Sequence, residues 1–387
     1  MASDCDLKPV VVAGGGFGGL TVAIKLSSLK SRFRIILIDP KSRFVFLPFL
    51  YELLSGELAR WEIAPLYKNI LSERGIVFIK DSVQCVNVKD QTIQTLSGKA
   101  IKYSQLVIAT GSIPNDLDIR GLRENALTFS SLQDVEKLKN LISTISKLSS
   151  LDRKFIIIGA GTSGVELASK IADFTNKLFE INIIESGNCI LPNSKSFNRD
   201  QAENILKEKD VKVILNTKVL SVDKSKIYLR NTSNLSRDFS LEHIAIIFTA
   251  GTTVRPPIFD QKDILAGQRL VVDNSLRLIG CKNVWSLGDV SIGENHKWPS
   301  TAQVAMQQAI CVAENIMKSR IGRPQNTFDF VDNGEFLSLG IGSASITSRG
   351  LTISGTAAFR LRRFFYLFRM PILSLAFKSA RAWLLDN

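Results

Sequence analysis

Histidine is nearly absent from this chain: His243 and His296 are the only two in 387 residues. A zinc site therefore lacks its customary ligands, no metal is expected, and no histidine presents itself as an acid–base group. Cysteine is scarce and scattered. The five, Cys5, Cys85, Cys189, Cys281 and Cys311, are odd in number and far apart, and none forms a CxxC or CxxxxC pair. That argues against a disulfide framework, against the redox dithiol of a disulfide reductase, and for a reducing compartment. No run approaches the roughly 18–20 apolar residues that a spanning helix requires. The chain is not expected to cross a membrane as a helix, although it can lie on one. No secretory signal, tandem repeat or low-complexity segment is evident.

What is present is globular: 45% of residues are hydrophobic and 22% charged, enough apolar material for a sizeable core over two or three domains. The net charge of +13 favours anionic partners, namely nucleotides, nucleic acid or an anionic membrane surface. The excess is uneven. From Phe359 onward six cations (Arg360, Arg362, Arg363, Arg369, Lys378, Arg381) face one anion, Asp386, so the tail carries +5 of the +13.

Two segments share one pattern. The first runs from Pro9 through an apolar stretch to Gly14-Gly15-Gly16-Phe17-Gly18-Gly19, then a helical stretch to about Lys30 and a second apolar run ending in Asp39. The other runs from Lys154 to Gly159-Ala160-Gly161-Thr162-Ser163-Gly164, then a helix to about Thr175 and a run ending in Glu185. Both read strand, tight turn, helix, strand, acid. Continuous apolar strands suit a parallel sheet covered on both faces. In each copy the first glycine (Gly14, Gly159) permits the turn, the second (Gly16, Gly161) lets backbone approach a pyrophosphate, and the third (Gly19, Gly164) lets helix and strand pack closely. The pyrophosphate belongs at the helix N-terminus, and Asp39 and Glu185 are placed to accept from a ribose hydroxyl. Two such units imply two nucleotides, most simply a bound FAD and a diffusing NADH or NADPH. Glu185 favours NADH, because a 2′-phosphate would meet a carboxylate; a nearby cation could offset that.

Three further features fit the series. Ala109-Thr110-Gly111 follows an apolar strand where the chain crosses between domains near a flavin. Asp289, after Leu287-Gly288, suits a carboxylate on the ribityl chain of FAD. A helix beginning at Thr301-Ala302-Gln303 can be capped by Ser300 or Thr301, and Gln303 and Gln307, four apart, share one face. Two amides at a helix start suit a quinone carbonyl and the flavin edge, and the helix dipole favours a reduced, anionic ring. The same spacing also occurs on a surface helix with solvated glutamines.

In order along nearly the whole chain, Gly14 to Gly19, Pro48-Phe49-Leu50-Tyr51-Glu52, Ala109-Thr110-Gly111, Gly159 to Glu166, Leu287-Gly288-Asp289 and Ala302-Gln303-Val304-Ala305-Met306-Gln307-Gln308 resemble the type II NADH dehydrogenases. These single-subunit FAD enzymes pass electrons from NAD(P)H to a membrane quinone. The resemblance implies that Gln303 and Gln307 face quinone and flavin, that Glu166 sits near the nicotinamide–flavin junction, and that the loop from Pro48 to Tyr51 lines the flavin pocket. It implies two Rossmann-type α/β domains of the glutathione reductase kind, the second inserted in the first: 1–115 and 251–325 for FAD, 116–250 for NAD(P)H, and 326–387 as a β-rich segment with a membrane-associating tail. The family's Trp-Ala-Ala-Gly stretch is Phe248-Thr249-Ala250-Gly251 here. The tail, with Ile346 to Leu351 and Arg362 to Pro371, looks more like the cyanobacterial and chloroplast branch, which includes the demethylphylloquinone reductases of phylloquinone synthesis; plastoquinone is the other acceptor considered.

Over Ile372–Leu385, Leu373, Ala376, Phe377, Ala380 and Leu384 recur at helical spacing, with Lys378 and Arg381 on another side. A basic amphipathic helix with aromatics upstream reads as lying in an anionic membrane interface, which would make the protein peripheral on the cytoplasmic side of a thylakoid or plasma membrane. Removal of everything from Phe359 is then expected to release it. Packing of the tail on a second subunit, giving a homodimer, is the competing reading. No motif supports binding of nucleic acid. The rival functions are a reductase of a soluble acceptor such as ferredoxin, and a nucleotide-binding redox sensor with little turnover.

Overall fold

The computed structural model describes residues 8–29, 33–115, 118–147, 154–233, 237–261, 264–367 and 369–370. The chain gathers into two units that interleave along the sequence. The first comprises Met1–Val45, Ala64–Ile113 and Thr253–Val331, and the second Phe46–Ile63, Pro114–Thr252 and Asp332–Asn387.

The first unit is built on a parallel sheet in the order Val284–Ser286, Gln105–Ile108, Val10–Ala13, Ile35–Ile38, Val77–Ile79. In register, Val10 stands opposite both Ile35 and Gln105. All residues of Val10–Ala13 and Ile35–Ile38 are buried, as a strand covered on both faces requires. The helices Phe17–Ser28 and Ala302–Arg320 pack against each other on this unit. Of the two candidate caps for the latter helix, the structure uses Thr301, whose hydroxyl accepts from the amide of Val304 at 3.2 Å.

The second unit repeats the plan. Its parallel sheet runs Lys212–Ile214, Glu180–Ile184, Lys154–Ile158, Ala245–Phe248, Ala126–Thr128, with helix Thr162–Phe174 following the central strand. An antiparallel sheet of Glu335–Ser338, Ala344–Ser348 and Leu351–Ser354 leads into the helix Gly355–Leu367. One face of helix Thr162–Phe174 holds this C-terminal segment by its backbone. Glu166 accepts from the amide of Ser338, Lys170 donates to the carbonyl of Gly340 at 2.8 Å, and Asp173 accepts from the amide of Ile341 at 2.7 Å. Residues four and three apart stack on one helical face, so the three side chains form a single row of clamps. These clamps join the segment after 332 to the second sheet, where the sequence division set 326–387 apart; residues 46–63, which that division put in the FAD domain, also group with the second unit.

The helix expected over Ile372–Leu385 lies outside the described residues. Among the described residues no helix is long and apolar enough to cross a membrane. The tail's charge is less superficial than its composition suggests. Arg362 is fully buried and ion-paired to Glu52, and Arg363 pairs with Glu57, so Arg362 adds nothing to a basic surface. Of the tail aromatics, Phe359 and Tyr366 are buried, whereas Phe364 and Phe365 remain 54% and 42% exposed.

Candidate active site

The two glycine turns are near copies of each other in geometry. Gly14 and Gly159 hold φ of +101° and +104°, a region closed to side chains. A Cβ on Gly19 or Gly164 would fall 1.9 Å from the carbonyl oxygen of Gly14 or Gly159, so these positions permit close packing of helix on strand. The middle glycines differ in kind. A Cβ on Gly16 or Gly161 would meet nothing within 4 Å. Each caps its helix in extended backbone without a side-chain hydrogen bond, and neither helix carries an acid in its first turn. The open space at the middle glycine therefore faces undercompensated amides at the positive end of a helix dipole, which fits an incoming pyrophosphate.

The acids complete both turns in the same way. Asp39, buried, accepts from the amide of Gly15 at 2.7 Å through Oδ2 and from that of Lys41 at 2.8 Å through Oδ1. Glu185 accepts from the amide of Ala160 at 2.8 Å through Oε2 and from that of Gly187 at 2.7 Å through Oε1. Each carboxylate is fixed in direction by the turn it serves; Oε1 of Glu185 also accepts from the hydroxyl of Ser186 at 3.2 Å, which leaves Oε2 of Glu185 and both oxygens of Asp39 with a lone pair for a ribose hydroxyl. Around the first turn, the hydroxyl of Tyr67 donates to the carbonyl of Gly15 at 2.7 Å, and Phe17, the first helical residue, sets its ring edge-to-face on Phe44 at 5.3 Å.

The crossing segments are also duplicated, which the sequence did not signal clearly. Ala109-Thr110-Gly111 ends the strand beside Val10–Ala13, and Thr249-Ala250-Gly251 ends the strand beside Lys154–Ile158. Ala109 lies against Gly14 and Ala250 against Gly159, and Gly111 and Gly251 hold φ of +67° and +80°. The departure at Phe248–Gly251 thus matches this chain's own Ala-Thr-Gly corner.

Asp289 lies in the short turn Gly288–Val290, with Oδ2 accepting from the hydroxyl of Ser112 at 2.6 Å. Ala302 is the first residue of the glutamine helix. Gln303 and Gln307 are adjacent, the side-chain amide of Gln307 reaching Oε1 of Gln303 at 3.5 Å. Gln307 also bonds both backbone groups of Val331, at 2.8 and 3.0 Å.

Glu166 belongs to a buried charge cluster in the second unit. Its Oε1 accepts from the amide of Ser338 at 2.7 Å, Nη2 of Arg362 lies 4.0 Å away, and the hydroxyl of Tyr51 is hydrogen-bonded to it. Burial pushes the Glu166 carboxyl up to about 7, against the opposing pull of Arg362 and the Ser338 amide. A carboxyl in that range can hold or release a proton near neutrality. Glu52 is also fully buried. Burial alone would raise its carboxyl, but Arg362 and Lys170 hold it below its ordinary value. Arg362 joins the two acids: Nη1 donates to Glu52 and Nη2 to the carbonyl of Pro48 at 2.8 Å, with its guanidinium 4.9 Å from the Tyr366 ring centre. Pro48 thus enters through its backbone. Neither Glu52 nor Arg362 was assigned a role from sequence, and the 310 residues between them give no local signal.

Two dinucleotide cradles, each with its own acid, define a two-dinucleotide oxidoreductase. The family described as pyridine nucleotide-disulphide oxidoreductase matches residues 8–309. The chain is 34% identical to a demethylphylloquinone reductase of Synechocystis sp., over 95% of this chain and 93% of that one. It is 31% identical to an alternative NAD(P)H-ubiquinone oxidoreductase, chloroplastic/mitochondrial, of Arabidopsis thaliana, over 97% and 80%. Among solved structures, NDH2 from Plasmodium falciparum in complex with NADH shares the fold with a TM-score of 0.85 over 96% of both chains at 19% identity. The protein belongs to the type II NAD(P)H:quinone oxidoreductases, within the pyridine nucleotide-disulphide oxidoreductase family.

Proposed function

We propose that this protein is an FAD-dependent NAD(P)H:quinone oxidoreductase whose natural acceptor is a naphthoquinone of the demethylphylloquinone type. The observation that carries the reading is the duplicated cradle. The glycine turn and Asp39 would hold FAD, and the glycine turn and Glu185 would hold NAD(P)H. When bound, FAD supplies the redox chemistry, taking hydride from the nicotinamide and passing two electrons to the quinone. The chain's own residues bind and orient. Asp289 would take hydroxyls of the ribityl chain, Gln303 and Gln307 would face the quinone, and Glu185 disfavours a 2′-phosphate. The likeness to a demethylphylloquinone reductase over 95% of the chain supports the naphthoquinone choice.

Stopped-flow absorbance tests this directly. Bleaching of the flavin by NADH, followed by rapid recovery with a short-chain demethylnaphthoquinone, is expected. Bleaching without recovery would remove the quinone assignment while leaving both nucleotide sites.

Glu166 gives the reaction a pH signature. Burial pushes its carboxyl up to about 7, so a step that draws a proton from it slows as pH rises through that value. Glu166→Gln keeps an acceptor for the Ser338 amide and is expected to flatten that step. A variant with the same inflection would assign the titration to another group.

Exposed Phe364 and Phe365 beside Arg360 support a surface that leans on an anionic membrane, with the protein peripheral on the cytoplasmic face of a thylakoid or plasma membrane. The cut that tests it falls after Met370, because loss of Arg362 would strand Glu52. Chain ending at Met370 keeps Arg360, Phe364 and Phe365, so it is expected to bind membranes more weakly than the full chain and still reduce a water-soluble quinone. Sedimentation with membranes unchanged by the cut would exclude the residues beyond Met370 as the anchor.

A further inference from the structure

Gln308 stands one residue beyond Gln307 in the helix Ala302–Arg320, and its amide turns the other way. It is 1% exposed, and its Oε1 accepts from the backbone amide of Gly288 at 2.7 Å. A buried carboxamide is unfavourable unless its polar atoms are used, and this one is spent on a single backbone group. Gly288 holds φ of +73° and opens the turn that carries Asp289. The carbonyl of Gly288 accepts from the hydroxyl of Ser291 at 2.9 Å, and the carboxylate of Asp289 is held by Ser112.

The turn also lies beside two helices. A Cβ on Gly288 would lie 3.5 Å from Cβ of Ala305 on the same helix. A Cβ on Gly18, in the helix of the first glycine turn, would lie 2.2 Å from Cδ1 of Leu287. The residues flanking Asp289 are thus packed between two helices, with the backbone held by Gln308 and Ser291 and the side chain by Ser112.

We propose that Gln308 is a positioning residue for the flavin. By holding the amide of Gly288 it fixes the direction of the Asp289 carboxylate, and it ties that carboxylate to the helix that carries Gln303 and Gln307. The proposal rests on the FAD site proposed above. A carboxylate binds a ligand hydroxyl only over a narrow range of directions, so a turn free to rotate weakens flavin binding even when Asp289 is intact. Gln308 needs no contact with flavin or quinone to act.

The test compares full-length wild type with Gln308→Met, Gln308→Glu and Asp289→Ala. Three quantities are read: flavin retained per chain after purification, affinity of the deflavinated chain for FAD by quenching of flavin fluorescence, and affinity for NADH. Gln308→Met keeps the side chain's length and removes the acceptor; it is expected to weaken FAD binding about tenfold, the scale of one buried hydrogen bond left unmade. Gln308→Glu restores an acceptor and is expected to recover most of that loss. NADH affinity is expected to stay near wild type in both, and the deflavinated chain to stay folded, its melting temperature lowered by no more than one missing hydrogen bond allows. FAD affinity unchanged in Gln308→Met but lost in Asp289→Ala would overturn the positioning role and leave the flavin site standing. A loss in Gln308→Met that Gln308→Glu does not rescue, with an equal fall in NADH affinity or melting temperature, would reduce Gln308 to a structural support. Wild-type FAD affinity in Asp289→Ala would overturn the flavin reading of Asp289 and the proposal with it.

Discussion

Arg362→Met is expected to destabilise the folded protein by about 3–5 kcal/mol, the scale of removing one partner from a buried ion pair. The reason is what it leaves behind. Glu52 is fully buried, and its Oε2 has no hydrogen-bond partner, so most of the compensation for its charge comes from Arg362, with Lys170 second. Urea denaturation followed through the second unit measures the loss. Adding Glu52→Gln removes the stranded charge and is expected to recover much of the stability; if the double variant is no more stable than the single, the pair is not the source. The same substitution also acts on Glu166. Arg362 favours the ionised form of that acid, so its removal moves the step in the pH profile above about 7, whereas Glu166→Gln erases the step.

Gly161→Val should show the opposite pattern, with lost function and little lost stability. The Cβ enters open space and φ at this position is −71°, a value any residue adopts, so the fold is expected to melt near wild type. The side chain then occupies the space beside the helix amides. Losing even one or two charge-assisted hydrogen bonds from those amides to phosphate, about 1.5–3 kcal/mol each, weakens NADH binding about 100-fold. Bound flavin is expected to remain. NADH titration decides it, and an affinity within threefold of wild type would remove Gly161 from the cradle. Gly164→Ala is the useful contrast, because its Cβ would sit 1.9 Å from the carbonyl oxygen of Gly159 and disturb the fold itself.

The parts of the site that were legible in the sequence are those made by local geometry. A glycine turn, its helix and the acid closing the next strand lie within about thirty residues, and each must obey the same steric rules wherever it occurs. For the same reason Thr301 could be read as a cap and Gln303 and Gln307 as neighbours. The illegible parts depend on the interior. Arg362 lies among Arg360, Arg363 and Arg369, and composition alone counts it with surface charge. Its burial is decided by Glu52, which the chain brings in from the far end. The Ser338 amide reaches Glu166 across 172 residues. Gln308 looked like one more member of a glutamine run until the structure showed that its carbonyl faces Gly288 and that of Gln307 faces Val331.

The distance between Glu52 and Arg362 has a consequence during synthesis. The two are 310 residues apart, so at about 5–20 residues per second the ribosome needs roughly 15–60 s to supply the partner once Glu52 has been made. Throughout that interval the second unit lacks the cation that its interior requires, and its hairpin clamps at Ser338, Gly340 and Ile341 are missing for nearly as long. The N-terminal glycine turn and its helix can form early, but the unit holding Glu166 closes only once Arg362 has been made. Ribosome-bound chains stopped shortly before Arg362 should remain open to protease and to chaperones, and those stopped far enough beyond it for the arginine to clear the exit tunnel should not.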